Sequence, residues 1–268
     1  MGQLTTETGE RVRRAVGAWT APPDVAGLNE LLRYLGRWRS QMLANTYLAH
    51  QGPRIHGGPF AGMEYAARAT EGALIPRLLG TYESELHPHL ERFLAEGVDC
   101  VVDVGCAEGY YAVGLARRLP RAVVYAYDIS PHARQACVTL AERNGVGDRV
   151  VVREEFRPHD FEAFAGRRVL VVMDVEGAET ELLRPDLSPA LAGMRLIVET
   201  HDPRGVGVLE DLRGRFEATH EVLRIDQAPK TFDMPDWLRA LPHLDQLLAV
   251  WEWRGIPTPW LVMRPKAR

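Results

Sequence analysis

The pattern of apolar positions changes near residue 96. Before that point, leucines recur at the three- and four-residue spacing of a helix, at Leu28, Leu31, Leu32 and Leu35. A second helical stretch is predicted from Leu74 to Leu79, continuing through Tyr82 to Ala95, and a glycine- and proline-rich loop at 52–62 separates the two. The front of the chain is therefore predicted to consist of helices and loops.

After residue 96, short apolar runs alternate with helical patterns, as in strands covered by helices on both faces. The runs are Cys100–Val104, Ala122–Tyr127, Val150–Val152, Val169–Met173 and Leu196–Val198, followed by strand candidates at Glu221–Ile225 and Trp260–Met263. One intervening helix has clear end signals, with Ser130 as N-cap, Pro131 at the first position and Gly145 beyond its end. Another helix is predicted at Val208–Phe216. This alternation predicts an α/β fold with right-handed crossovers, divided into a helical region, 1–95, and a sheet domain, 96–268.

Composition narrows the class of protein without identifying it. The 268 residues carry a formal net charge of −4, and no apolar stretch approaches the roughly 18 residues of a membrane span. Mild acidity argues against a general nucleic-acid binder. The N-terminus lacks a signal peptide, and Cys100, Cys106 and Cys137 lack the spacing of a disulfide framework or zinc site. A cytoplasmic protein is expected.

The segment from Val101 to Ala116 carries the most specific signal. A buried strand runs into a turn containing Gly105 and Gly109 and then into a helix, so the backbone can approach a ligand closely. The spacing differs from the G-x-G-x-x-G of dinucleotide sites. Asp103 places a carboxylate beside the loop, which would repel a pyrophosphate and favour a ligand with an ammonium group.

The second strand ends at Asp128, which follows Gly109 at close to the spacing of about 20 residues expected for an acid that binds ribose hydroxyls. Adenosine joined to a cationic amino acid describes S-adenosylmethionine. Each acid also has a structural interpretation, in which Asp103 caps the turn and Asp128 caps the next helix. Their order and spacing together favour the cofactor.

Three segments resemble known methyltransferases. Val101–Ala116 resembles motif I of class I S-adenosylmethionine-dependent methyltransferases. Val172–Glu179 is similar to the D-x-E-G-x-E signature of the FkbM-type methyltransferases, and Gly80–Leu86 resembles the entry segment of that family. The resemblance covers about residues 80–225.

The resemblance implies a Rossmann-like, seven-stranded, mostly parallel sheet with the last strand antiparallel. It also implies that the loop Gly105–Gly109 and its neighbours hold S-adenosylmethionine. The residues expected around the cofactor are Glu83, Asp103, Gly105, Cys106, Ala107, Gly109, Asp128, Ile129, Glu154, Glu155 and Asp174.

Polar residues follow each predicted parallel strand, at the edge where open α/β sheets bind ligands. His201, flanked by Glu199 and Asp202, is the first candidate for a general base, and Asp174 is the second. Asp174, Glu176, Glu199, His201 and Asp202 also form a plausible divalent-metal set. Metal is not favoured, because these residues lie on two strand ends with no fixed spacing.

The acceptor side is less defined. Expected substrate contacts are Tyr82, His56, Glu176, Glu199 and Arg254. The segment 54–65 is either a lid or an ordinary connector, and the tryptophans near the C-terminus either line a pocket or pack the insertion at 228–259.

The predicted function is S-adenosylmethionine-dependent methyl transfer to an oxygen of a small molecule, in natural-product or sugar tailoring. The alternative is an enzyme of the same fold that uses this cofactor for cyclisation or elimination. The expected partner is a small-molecule acceptor, without nucleic acid or membrane, and a homodimer is left open.

Overall fold

A computed structural model describes residues 2–19, 22–65, 72–202 and 204–267. The helices preceding the sheet are α1 (Gln3–Gly17), α2 (Val25–Gln51), α3 (Leu74–Leu79) and α4 (His87–Ala95), with a 3₁₀ turn at Ser84–Leu86. The helical stretch predicted from Leu74 to Ala95 is therefore interrupted. Gly80 ends α3 with φ +73°, and a Cβ there would collide with the carbonyl oxygen of Gly57. Packing against the 52–62 loop thus ends the helix.

The seven strands form one sheet in the order β3-β2-β1-β4-β5-β7-β6. They are β1 (Cys100–Val104), β2 (Val123–Tyr127), β3 (Val150–Arg153), β4 (Val169–Met173), β5 (Arg195–Glu199), β6 (His220–Ile225) and β7 (Trp260–Pro265). The first five pair in parallel, and β7 runs antiparallel between β5 and β6. The predicted seven-stranded Rossmann-like sheet is confirmed.

Helices and 3₁₀ turns connect the strands on both faces of the sheet. They are α5 (Tyr110–Arg118), α6 (Pro131–Arg143), α7 (Glu179–Leu182), α8 (Val208–Phe216), α9 (Asp236–Arg239) and α10 (His243–Ala249), with 3₁₀ turns at Pro158–Phe164 and Pro189–Gly193. The predicted start of α6 is confirmed, because the Ser130 side chain accepts a hydrogen bond from the Ala133 amide. Within the described ranges, no helix combines the length and apolar composition that a membrane span requires.

Alternate residues of each central strand enter different hydrophobic clusters. Val101 of β1 and Leu170 of β4 pack with front-region residues such as Phe93, whereas Val102 and Val171 belong to the opposite cluster. The helical region and the sheet thus share one continuous cluster. The division at residues 95 and 96 stays a prediction.

The leucines that indicated the first helix do lie on α2, but they do not form its buried face. Leu28, Leu32 and Leu35 are 51%, 68% and 37% exposed. The buried positions of α2 lie towards its C-terminal half, where Leu43 and Tyr47 enter the core. Leucine spacing therefore predicted the helix and not its packing.

Candidate active site

One cavity of about 940 Å³ lies along the carboxyl edge of the sheet. Its lining residues come from the loops after β1, β2, β3, β4 and β5, from the C-terminal segment before β7, and from a few positions of the front region. Sequence-predicted site residues in this lining are Tyr82, Gly105, Ala107, Asp128, Ile129, Glu154, Glu155, Asp174, Glu176, Glu199, His201 and Arg254. The fold thus brings most of the predicted site together.

The backbone of the loop after β1 is fixed by contacts with β2 and with the residue that follows β4. The amides of Gly105 and Cys106 both donate to the carbonyl oxygen of Tyr127 on β2, at 2.8 and 2.9 Å. A Cβ on Gly105, whose φ is +82°, would collide with the carbonyl oxygen of Asp174 after β4. Only glycine fits this position, and the loop backbone is left facing the cavity.

Asp128 fixes the same loop from the end of β2. One carboxylate oxygen accepts from the Ala107 amide at 2.9 Å and the other from the Ser130 amide at 2.8 Å. Each oxygen can accept a further hydrogen bond, because a carboxylate offers about four lone-pair positions. Asp128 therefore does not cap α6, whose N-cap is Ser130, and its bonds to the loop leave room for a ligand.

Four predicted cofactor residues do not line the cavity. Asp103 is only 3% exposed, Cys106 and Glu83 are buried, and Gly109 begins α5 with φ +96°. Burial raises the pKa of Asp103 to about 7, and within the described part of the chain its Oδ2 has no hydrogen-bond partner. Asp103 is therefore a buried support for the loop and not part of the cavity lining.

The end of the cavity near β2 and β3 is open to solvent. Ile129 is 79% exposed, and the side chains of Glu154 and Glu155 are also largely exposed. Glu155 pairs with Arg157 at 2.7 Å, and Glu154 lies 3.8 Å from Arg134.

At the other end of the cavity, carboxylates surround His201. Its Nδ1 lies 2.7 Å from Oε1 of Glu179, which is fully buried and also accepts from the Gly177 amide at 3.0 Å. Its Nε2 lies 3.4 Å from Glu176, 3.7 Å from Asp174 and 3.9 Å from Glu199. A carboxylate in this position accepts from Nδ1–H, so in the neutral imidazole the lone pair lies on Nε2.

At the His201 end of the cavity, carboxylates outnumber cationic side chains. Burial, followed by the charges of Glu199 and Glu83, raises the pKa of Asp174 well above its ordinary value. Burial opposes the charge on His201, but the hydrogen bond to Glu179 and the nearby carboxylates outweigh it and raise the pKa of the imidazole.

A buried ion network closes this side of the cavity. Arg254 donates to Glu83 at 2.8 Å, to Glu252 at 3.1 Å, and also to Glu199. Lys230 pairs with Glu252 at 2.7 Å and with Glu85. Burial and the charge of Glu199 raise the pKa of Glu83 to about 8, with Arg254 opposing the shift. The network joins the C-terminal segment to the loop after α3.

Two predictions for the front region, His56 and the segment 54–65, lie outside the cavity lining. His56 is exposed, its Nε2 lies 3.0 Å from the carbonyl oxygen of Asp233, and it does not line the cavity. No residue of 54–65 lines the cavity, and Ile55, Phe60 and Met63 enter the core. Tyr82, by contrast, does line the cavity and packs under Arg77, whose guanidinium carbon is 4.1 Å from the ring centroid.

Sequence reasoning missed several residues of this site. Glu179 was not among the predicted site residues, although it is the last acid of the D-x-E-G-x-E segment. Glu252 carried no sequence signal, because the fold alone brings the segment before β7 to the cavity. Trp253 is one of the C-terminal tryptophans expected either to line a pocket or to pack the insertion, and it lines the cavity.

Comparisons with known proteins match part of the chain. No protein-family model matches it. It is 32% identical over 142 residues to a release factor glutamine methyltransferase of Chlorobaculum tepidum, covering 47% of each chain. It is 34% identical over 100 residues to a cobalt-precorrin-6B C(15)-methyltransferase of Methanothermobacter thermautotrophicus, covering 37% of this chain and 51% of that protein. The chain spans about half the length of these curated relatives.

A solved rRNA methylase from Streptococcus thermophilus aligns with 69% of this chain and 97% of its own, with TM-score 0.46 and 18% identity. The expected partners, a small-molecule acceptor without nucleic acid, are contradicted, because the Chlorobaculum tepidum relative is named for a release factor, which is a protein. The cobalt-precorrin relative, in contrast, is named for a small molecule. The prediction relied on the mild acidity of the chain and on analogy with FkbM-type enzymes, and net charge describes the whole surface and not a local acceptor site. The strand order and the methyltransferase matches together show that the chain has the class I S-adenosylmethionine-dependent methyltransferase fold.

Proposed function

We propose that this protein is an S-adenosylmethionine-dependent methyltransferase that acts on a hydroxyl oxygen. One observation carries the proposal: a single cavity joins the glycine loop and Asp128 to the Asp174–His201 end. A cofactor site and a group able to accept a proton thus share one cavity. The D-x-E-G-x-E segment, which supplies Asp174, Glu176 and Glu179, supports an FkbM-like assignment.

The residues at the β1–β2 edge fit the cofactor. Gly105 leaves the loop backbone open to the cavity, and Asp128 has spare lone pairs beside it for ribose hydroxyls. Glu154 and Glu155 lie at the same end, where an adenine amino group needs acceptors. S-adenosylmethionine supplies a methyl group that its sulfonium charge already activates for displacement.

The acceptor-side residues then position and deprotonate the hydroxyl. Nε2 of His201, a residue of the cavity lining, accepts the proton, while Glu179 holds the ring through Nδ1 and stabilises the imidazolium. Asp174, beside Nε2 at 3.7 Å, orients the acceptor. Most of the acceleration is expected from positioning, because displacement at an activated methyl needs little other help.

The first test is cofactor binding by the Asp128→Asn variant. Loss of one acceptor from ribose and from the loop amides is expected to weaken S-adenosylhomocysteine binding by about tenfold or more, since hydrogen bonds to charged groups contribute roughly 1.5–3 kcal/mol. Titration calorimetry measures this change. Asp148→Asn makes the same charge change at an exposed position outside the cavity and should bind normally; equal affinity in both variants would contradict the assignment of Asp128.

The second test identifies the reaction. Methyl-labelled cofactor is incubated with the protein and with cell extract separated into RNA, protein and remaining fractions, because relatives are named for RNA and protein acceptors. Label in one fraction, with S-adenosylhomocysteine as co-product, supports methyl transfer. Methylthioadenosine as the product would instead indicate a cyclisation or elimination enzyme.

A further inference from the structure

Asp174, Glu176 and His201 bring three metal-binding side chains to one point at the carboxyl edge of β4 and β5. One ligand atom from each lies within 4.8 Å of the other two. We propose that they bind a hard divalent cation, with Mn²⁺ and Mg²⁺ as the chemical class. Binding itself does not depend on the proposed methyl transfer.

The distances suit one shared ion. Nε2 of His201 lies 3.4 Å from Oε2 of Glu176 and 3.7 Å from Oδ1 of Asp174. Oxygen ligands of Mg²⁺ and Ca²⁺ lie roughly 2.0–2.6 Å from the ion, so small side-chain shifts would close the site. Two carboxylates and one imidazole form a mostly oxygen donor set, in which the carboxylates suit Mn²⁺ and Mg²⁺ and the imidazole makes Mn²⁺ the better fit of the two.

An unpartnered buried oxygen lies in this cluster. Oδ1 of Asp174 is buried and has no hydrogen-bond partner among the described residues. The His201 side chain is only 10% exposed, and its Nε2 makes no hydrogen bond within the described part of the chain, although carboxylates lie 3.4–3.9 Å away. Both residues belong to the cavity lining.

Glu179 completes the pattern from behind. Its contact with Nδ1 of His201, at 2.7 Å, fixes the ring and leaves the Nε2 lone pair free. Histidine ligands of metals almost always donate their other nitrogen to such an oxygen. A fully buried carboxylate in this position is therefore what a metal-bound histidine requires.

The surrounding charges favour a cation at the site of Asp174, Glu176 and His201, and not at the neighbouring Glu199. Glu199, 3.9 Å from Nε2, is already ion-paired with Arg254. Among the described residues, Asp174, Glu176 and Glu179 have only His201 as a cationic partner within ion-pair distance. A divalent cation would neutralise this excess.

Cation binding would change the role of His201 in the proposed methyl transfer. This consequence rests on the proposed function. Nε2 has one lone pair, so it cannot hold a cation and also accept the acceptor's proton. With the cation bound, the ion would lower the pKa of a coordinated hydroxyl, whose proton would leave to solvent in the cavity instead of to the imidazole. Asp174 and Glu176 then orient the acceptor through the ion.

The experiment titrates EDTA-treated, full-length protein with Mn²⁺, measured by electron paramagnetic resonance, with Mg²⁺ as competitor. We expect one bound Mn²⁺, displaced by Mg²⁺. Glu176→Gln, whose side chain is 65% exposed and carries little folding risk, should weaken Mn²⁺ binding at least tenfold. Asp174→Asn should do the same, and Glu179→Gln should weaken it roughly 10- to 100-fold.

The matched control is Glu181→Gln, the same charge change at an exposed position of α7, which should bind Mn²⁺ like the unaltered protein. Absence of bound Mn²⁺, or equal binding in Glu176→Gln and Glu181→Gln, would overturn the proposal. S-adenosylhomocysteine binding is measured on the same samples without metal. Normal binding there with no Mn²⁺ site would reject the cation alone and leave the proposed function standing.

Discussion

At the residue scale, backbone conformation marks the same site as side-chain chemistry. The described residues other than glycine with positive φ are Glu83, Ala107, Glu176 and Trp253. Three of them line the cavity, and Glu83 belongs to the ion network beside it. Such conformations cost of order 1–3 kcal/mol and persist only where surrounding structure imposes them. Their positions are therefore explained by the packing of the site and not by local backbone preference.

Asp103 gives a residue-scale prediction for stability against pH. Its folded pKa of about 7 exceeds the ordinary value of 3.8 because the carboxyl is buried. The folded state therefore retains a proton that the unfolded state releases, so this contribution to stability is complete below pH 3.8 and is lost as pH rises through about 7. Between pH 3.8 and about 7, we expect the free energy of unfolding of the unaltered protein to fall relative to that of Asp103→Asn. Above about pH 7, we expect the difference between the two proteins to stay constant.

Urea denaturation of both proteins over a pH series measures this difference in unfolding free energy. Parallel curves throughout would mean that Asp103 is not protonated by burial in the folded protein.

At the element scale, the site depends on segments that are distant in the chain. The loop after β1 is held by β2 and by the residue following β4, and the C-terminal segment is tied by Arg254 to the loop after α3. Each tie uses a group that would be unfavourable alone: a positive φ or a buried charge. The elements therefore fix the cavity collectively.

The Arg254→Met variant tests the buried network. Removing the guanidinium leaves Glu83, Glu199 and Glu252 without this partner, and breaking a buried ion pair costs about 3–5 kcal/mol. Urea unfolding should show a loss of that size. Arg224→Met removes an exposed pair with Asp226 and should cost about 0–1 kcal/mol; similar losses in both would show that the network does not stabilise the fold.

At the scale of the whole molecule, the front region helps build the hydrophobic core. Leu78, Leu90 and Phe93 are at most 1% exposed and belong to the same cluster as Val101 and Leu170 of the sheet. The cavity also takes Arg37 and Tyr82 from this region. Separating the two regions would uncover one face of the sheet.

The fragment 96–268 is accordingly expected to lack cooperative unfolding, because this apolar face would be exposed to water. Differential scanning calorimetry and near-ultraviolet circular dichroism test this. The control is the fragment 19–268, which lacks α1, where Thr8 is the buried residue, and it should unfold cooperatively. A stable 96–268 fragment would instead support an independent sheet domain.

The sequence by itself determined the elements and the loop at the carboxyl edge of β1 that lines the cavity. Apolar runs predicted the seven strands within about two residues, and the spacing of Gly105, Gly109 and Asp128 located the loop that the cavity exposes. These signals are local: a buried strand must be apolar, and a tight turn at positive φ requires glycine. The break at Gly80 was missed because its cause, Gly57, is distant in sequence.

Only the tertiary structure decided which polar residues meet. Asp103 and His56 have site-like residue types but lie outside the cavity, whereas Glu179 and Glu252 enter the network around it. Sequence spacing cannot supply this information, because β4, β5 and the segment before β7 converge only when the sheet is assembled. Contacts between distant segments depend on strand order and packing, which create the cavity and the burial that sets its charges.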